Sequence, residues 1–399
     1  MRHHDAPSPM TGRHIRAGAG RRAARRSILD TVWTAHHTRS SQWPDSVLGM
    51  RIRQLFTVAL PVVLTAGLLA AGAGLRASAG ESPGVAVAEY DLGDDAFTDP
   101  NSGTLSELRA VVHHPRHLVG RLPLIVQAHG SWWACDSQDA QAWPCDQGKP
   151  FPSYRGYDYL GAALAQRGFV VVSLSADGIN MTSFDYGDRA RLINKHLELW
   201  QQLAAGRGPL APTLGRLAGH VDLAEVGTMG HSRGGKGVMW QASDKHRAEL
   251  PAGIRLRAVL ALAPVKFDDP AGDNSDTLVT RVPVGVVTSG CDGAVREAGQ
   301  QYLDDAVGKT REPAYSVSLA GANHNYYNTR WTPPSLFGED DSTCPQREVA
   351  PGTQQTALTA YAIAFYERFL HGDRSYEPVL TGKRPLPGVT STTRVVRGS

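Results

Sequence analysis

The chain has 399 residues, 41% of them hydrophobic and 20% charged, with a formal net charge of +3. That mix excludes a collagen-like, low-complexity or wholly disordered chain and suffices for one large buried core. Residues 1–79 hold eleven arginines, no lysine and three acids, a net of +8 that leaves −5 for the remainder. The basic balance therefore belongs to the N-terminus, and no nucleic-acid partner is expected.

The first 49 residues carry Arg21, Arg22, Arg25 and Arg26, five histidines and no apolar periodicity. They are read as a disordered leader or as sequence upstream of the true start, with a basic arm as the alternative. From Met50 the pattern is that of a secretory signal peptide. Arg51 and Arg53 precede an uncharged run from Leu55 to Leu75, and Ala77-Ser78-Ala79 offers a cleavage site. Residues 50–79 are thus expected to be removed on export, leaving no membrane span; an uncleaved anchor is the alternative.

In the remainder, Val85–Tyr90 and Glu107–His113 suit edge strands, and Leu122–Ala128 is a continuous apolar run of the buried parallel kind. Tyr157–Gln166 has helical spacing, Phe169–Leu174 is a buried strand, and Ala190–Ala205 is a long amphipathic helix. A strand, a tight turn and a helix follow over 225–242. Further strands are predicted at Arg257–Ala263, Val282–Thr288 and Ala314–Leu319, and a final helix at Gly352–Leu370. Strands alternating with helices predict an α/β domain over 80–375, a mostly parallel sheet covered on both faces. Residues 376–399, rich in Pro, Gly, Thr and Arg, read as a C-terminal tail.

Four cysteines follow the predicted signal: Cys135, Cys145, Cys291 and Cys344. An even number in an exported chain suggests two disulfides. Cys135 with Cys145 and Cys291 with Cys344 is the most local pairing, though spacing does not fix it. No C-x-x-C or His-x-x-x-His spacing supports a zinc site.

The predicted strand–turn–helix contains Gly230-His231-Ser232-Arg233-Gly234-Gly235. A serine at such an apex needs small residues two before and two after it, and the N–H of the next residue, Arg233, faces the place where an oxyanion forms. A second match, Gly80-Glu81-Ser82-Pro83-Gly84, has no apolar strand before it, and Pro83 has no N–H to offer. Ser232 is the candidate nucleophile. Its base and the group orienting that base are expected after late strands. Asp292 and His324 occupy such places, in the chain order Ser, Asp, His. Asp268 and Asp269 are alternatives for the acid.

With Gln127-Ala128-His129-Gly130, Tyr154–Leu160, Gly227–Gly235 and Gly321-Ala322-Asn323-His324-Asn325-Tyr326, the chain resembles the α/β-hydrolase superfamily. Its nearest likeness there is to secreted actinobacterial serine hydrolases related to dienelactone hydrolases and platelet-activating-factor acetylhydrolases. The likeness spreads over residues 85–370. It implies Ser232 as nucleophile, Asp292 as acid, His324 as base, and a second oxyanion N–H from Ser131 or Trp132. Lys236 departs from it, standing where an acidic residue is expected.

Trp132, Trp133, Tyr326, Tyr327 and Trp331 flank the proposed site and are read either as a pocket wall or as packing aromatics. His231 is expected to be structural, and His129 to brace the oxyanion loop. The acid-rich stretch 268–276 lacks regular Ca²⁺-ligand spacing and is read as a solvated loop. The expected protein is a monomeric serine carboxylic-ester hydrolase with no metal and no cofactor, acting on a small-molecule or lipid ester. A non-catalytic binding protein of the same fold and an acyltransferase with the same residues are the rivals.

Overall fold

In the computed structural model, residues 83–137, 142–182, 186–266, 273–331, 344 and 348–398 are described. The predicted signal peptide, the leader, Ser82, Asp268 and Asp269 lie outside them. In chain order the strands and helices are β1 (Val85–Asp91), β2 (Phe97–Thr98), β3 (Leu105–Ser106), β4 (Arg109–Pro115), β5 (Leu122–Ala128), α1 (Asp158–Ala165), β6 (Val170–Leu174), α2 (Asp177–Thr182), α3 (Tyr186–Ala204), α4 (Ala211–Leu214), β7 (Val221–His231), α5 (Arg233–Ala242), β8 (Leu256–Leu262), β9 (Val284–Cys291), α6 (Gln301–Ala306), β10 (Ala314–Asn323), α7 (Pro351–Leu370), α8 (Glu377–Leu380) and β11 (Ser391–Val396).

A nine-stranded sheet runs in the order β1-β4-β6-β5-β7-β8-β9-β10-β11. From β6 to β10 neighbouring strands are parallel, while β1, β4 and β11 close the edges antiparallel. Alternation along the strands feeds two cores. Leu124 and Val126 of β5 face one with Leu197 and Trp200 of α3 and Val238 of α5, and Ile125 faces the other with Leu160 of α1 and Phe365 of α7. Both faces are therefore covered, which explains why the central strands read as unbroken apolar runs. The expected α/β architecture is present.

The stretch after residue 375 is not a tail. β11 pairs with β10 from Ala314↔Val396 to Leu319↔Ser391, extending the sheet by one edge strand. Its exposure alternates along Ser391–Val396, a period-2 signal masked by the turn-rich residues before it. Cys135 is bonded to Cys145 and Cys291 to Cys344, the most local pairing. No helix among the described residues is long and apolar enough to cross a membrane.

Candidate active site

Two pairs of neighbouring strands build the site. Ala128 and Gly230 are register partners across β5 and β7, so Gly130 and Ser232 each lie two residues past a matched position. They end up in contact: a Cβ on Gly130 would sit 2.6 Å from the Ser232 Cβ. β5 leads through α1 to β6 on one side, and β7 leads through α5 to β8 on the other. Open α/β sheets place their ligand crevice at such a divergence of connections, at the carboxyl ends of the strands.

Ser232 has φ 57° and ψ −119°, a backbone conformation that non-glycine residues rarely adopt. Surrounding interactions hold it there: its N–H donates to the Leu262 carbonyl at 2.9 Å, and its own carbonyl accepts from Val265 N–H at 3.1 Å. The glycines are small for a steric reason. A Cβ on Gly230 would lie 2.0 Å from the Gly234 carbonyl oxygen, one on Gly234 2.4 Å from that of Ala128, and one on Gly235 2.6 Å from the Pro264 side chain. Arg233 begins α5, where backbone N–H groups lack intrahelical acceptors and negative charge is favoured. Lys236, the position departing from the expected acid, holds its ammonium 4.2 Å from the centre of the Tyr186 ring.

The second strand pair carries the acid and the imidazole. Cys291 and Asn323 are register partners across β9 and β10, so Asp292 and His324, each the next residue, leave the sheet side by side. His324 Nδ1–H donates to Asp292 Oδ2 at 2.7 Å, and Asp292 Oδ1 accepts from the N–H groups of Ala294 and Val295 at 2.9 and 2.7 Å. A carboxylate oxygen accepts from an imidazole N–H, so this bond places the proton on Nδ1. The His324 ring centre is 4.9 Å from that of His231, the residue before Ser232. All three candidate side chains are buried. The bond to Asp292 fixes the orientation of the His324 imidazole.

The other histidines nearby are unfit for that task. His231 Nδ1 is bonded to the Tyr157 hydroxyl at 2.8 Å, and burial holds its pKa well below the usual imidazole range. His129 Nε2 accepts from Ala176 N–H at 2.8 Å, so Nδ1 carries the proton and donates to the Gly130 carbonyl at 2.7 Å. Burial lowers its pKa to about 3. His129 thus braces the loop that follows β5.

That loop carries the other expected groups. Trp132 is buried and stacks on Trp331, with ring centres 5.2 Å apart and planes 11° apart. Trp331 also stacks on His231 at 5.0 Å and donates from Nε1 to Ser153 Oγ. Ser131 Oγ, Trp132 Nε1 and Trp133 Nε1 are buried and have no hydrogen-bond partner among the described residues. Tyr326 is half-buried, and its carbonyl accepts from Gln355 of α7. Of the expected wall, Trp132 and Trp331 form one stacked unit beside Gly130, whereas Tyr327 points inward.

Several residues whose contacts the sequence does not show support the site. The Tyr327 hydroxyl and Ser289 Oγ are 2.6 Å apart, both buried, and link the strand before Asp292 to the turn after His324. Arg189 of α3 is buried and donates to the His129 carbonyl and to Asn180; burial and nearby Arg233 lower its pKa to about 10. Glu107 accepts from the N–H groups of Asp177 and Gly178 and from Ser106 Oγ. Burial, and then the Glu107 charge, raise the Asp177 pKa well above the carboxylate range. An acid such as Glu107 at the start of an apolar strand is the sequence signal that marks it. Of the acid-rich loop, described Asp276 accepts from Lys245 and His246, and Asp273 accepts from Ser275 N–H. No cluster of three or more metal-ligating side chains occurs among the described residues.

Removing the Tyr327 hydroxyl tests the link between the two loops. Tyr327→Phe leaves Ser289 Oγ buried without its partner, which costs about 1–3 kcal/mol of stability. Turnover is expected to fall about tenfold, because small errors in positioning reacting groups are costly, with KM nearly unchanged. Steady-state kinetics and a thermal melt on the purified variant check both effects.

No protein-family model matches the chain. Over 253 residues it is 25% identical to a bis(hydroxyethyl) terephthalate hydrolase of Streptomyces coelicolor. That alignment spans 62% of this chain and 64% of the relative.

Proposed function

We propose that the chain is an exported serine carboxylic-ester hydrolase of the α/β-hydrolase fold that works through an acyl-enzyme. The observation that carries this reading is the strained Ser232, seated between two strand ends near a buried Asp292–His324 pair. Ser232 Oγ attacks the ester carbonyl while His324 Nε2 takes its proton. The N–H of Arg233, with that of Ser131 or Trp132, receives the oxyanion. Collapse releases the alcohol, which leaves with the proton from His324. Water then attacks the acyl-enzyme, gives a proton to His324, and the acid leaves as Ser232 regains its hydrogen.

The sheet order, with the acid after β9 and the histidine after β10, supports the fold assignment. The Streptomyces coelicolor relative supports ester cleavage, since bis(hydroxyethyl) terephthalate is a small diester. The likeness to dienelactone and platelet-activating-factor acetyl hydrolases rests on the sequence stretches alone. Two disulfides fit an oxidising compartment and so favour export. The aromatic diester named for that relative favours a compact acyl group, aromatic or short-chain. Purified protein is expected to hydrolyse p-nitrophenyl acetate and bis(hydroxyethyl) terephthalate with saturable kinetics and no added metal. Absence of turnover on a panel of short and aromatic esters favours a binding protein, and transfer of the acyl group to an added alcohol in preference to water favours an acyltransferase.

A further inference from the structure

Ser232, Asp292 and His324 all lie at the carboxyl ends of the parallel strands. The opposite end of the sheet carries a second concave feature of different chemistry. A cavity of about 680 Å³ opens between the residues after α5 and the entrances to β8 and β9, and Arg247, Arg255, Arg257 and Arg281 line it. Arg255 and Arg257 flank Leu256 at the start of β8, so their side chains share one side of that strand. Val259 is paired with Val284, which brings the segment before β9, with Arg281, alongside Arg257. Arg247 comes from the short turn after α5. Four arginines from three separate segments thus line one groove. A smaller cavity of about 280 Å³ shares Leu256, Arg257 and Arg281 with it and continues to Arg368.

Acids offset only part of the charge of this groove. Arg257 reaches Glu225 at 3.4 Å and Arg281 reaches Asp244 at 3.8 Å, both longer than a charge-assisted hydrogen bond. Among the described residues neither Arg247 nor Arg255 has an ion-pair partner, and all four arginines are exposed. Arg368 is held by Glu377 at 2.9 Å, and Glu312 lines the smaller cavity, so the arginines without an acidic partner lie along the larger one. Residues 80–399 carry a net charge of −5, so a general basic surface does not account for this concentration. Guanidinium groups bind phosphate oxygens in a bidentate fork, and fixed cations along a groove favour an anion with several charges over a single ion.

We propose that this groove is a binding site for a linear phosphate-bearing polyanion, separate from the candidate active site and independent of the ester chemistry. The chain would lie along the two joined cavities, with successive phosphates meeting Arg247, Arg255, Arg257 and Arg281. Such a site would dock the protein on a phosphate-rich polymer while leaving the Ser232 end of the sheet facing away.

Short-chain inorganic polyphosphate is the probe, titrated by calorimetry against the purified protein at low and at physiological salt. Saturable binding that weakens steeply with salt is expected, since exposed charges are screened within about 8 Å at physiological ionic strength. The double variant Arg255→Gln/Arg281→Gln should raise Kd about tenfold and leave ester turnover unchanged. Arg394→Gln, on edge strand β11 and paired with Asp304, should leave Kd unchanged. Absence of saturable binding at low salt, or equal binding by the double variant and wild type, would overturn the proposal. Orthophosphate binding as tightly as polyphosphate would reduce the groove to a single-anion pocket and also overturn it. Tighter binding of an oligodeoxynucleotide of equal charge would replace it with a nucleic-acid site.

Discussion

Ser232→Ala is expected to lower ester turnover by several orders of magnitude, to a residue left by binding and the oxyanion donors. The substitution removes only Oγ. Alanine, however, still has to occupy φ 57° without glycine's freedom, so the native strain persists and no new contact is created. The fold is therefore expected to survive, as a thermal melt within a few degrees of wild type would show. Ser82→Ala should leave turnover intact, because the only other Gly-x-Ser-x-Gly-like match places Pro83 where an oxyanion N–H is needed. Near wild-type turnover by folded Ser232→Ala protein would refute the nucleophile assignment.

His324→Ala should be almost as severe, and the pH profile of the wild-type enzyme should carry the same message. An imidazole accepts the serine proton only when neutral, so the rate is expected to rise with pH on the acid side and level off once His324 has lost its proton. No other nearby histidine should contribute to that limb. Burial keeps His129 neutral down to about pH 3 and pushes His231 well below its usual range, so both are already neutral where the rate rises. Asp292→Asn should lower the plateau by about 10⁴-fold, as an amide no longer enforces the Nδ1–H tautomer. A kcat/KM profile flat across the acid range, or one unchanged in His324→Ala, would remove the imidazole from the mechanism.

Much of this arrangement was legible in the residue order, for identifiable reasons. Strands buried on both faces leave long apolar runs, so Leu122–Ala128 and Phe169–Leu174 could be located closely. The strand–turn–helix around Ser232 was legible because steric demand at Gly230 and Gly234 writes itself into the sequence. Asp292 and His324 followed from standing just past strand ends, which the Cys291–Asn323 register turns into proximity. What stayed hidden depends on contacts between distant segments. Nothing local distinguishes Tyr327, turned inward to Ser289, from an aromatic lining a pocket. Arg189 looks like an ordinary charge on an amphipathic helix, yet it is buried and reaches the His129 carbonyl just past β5. β11 was missed because its alternation is short and lies among Pro, Gly and Thr residues that signal turns.

If Ser232 is a nucleophile activated by its setting, it should react where other serines do not. A fluorophosphonate reacts with such a serine and not with ordinary surface hydroxyls, so the direct measurement is to label the folded protein and map the modified peptide by mass spectrometry. One phosphonyl adduct is expected, on Ser232, with loss of ester turnover in proportion to labelling and slow labelling of His324→Ala. A folded protein that takes up no label, or takes it up on another serine while Ser232 stays unmodified, would contradict it.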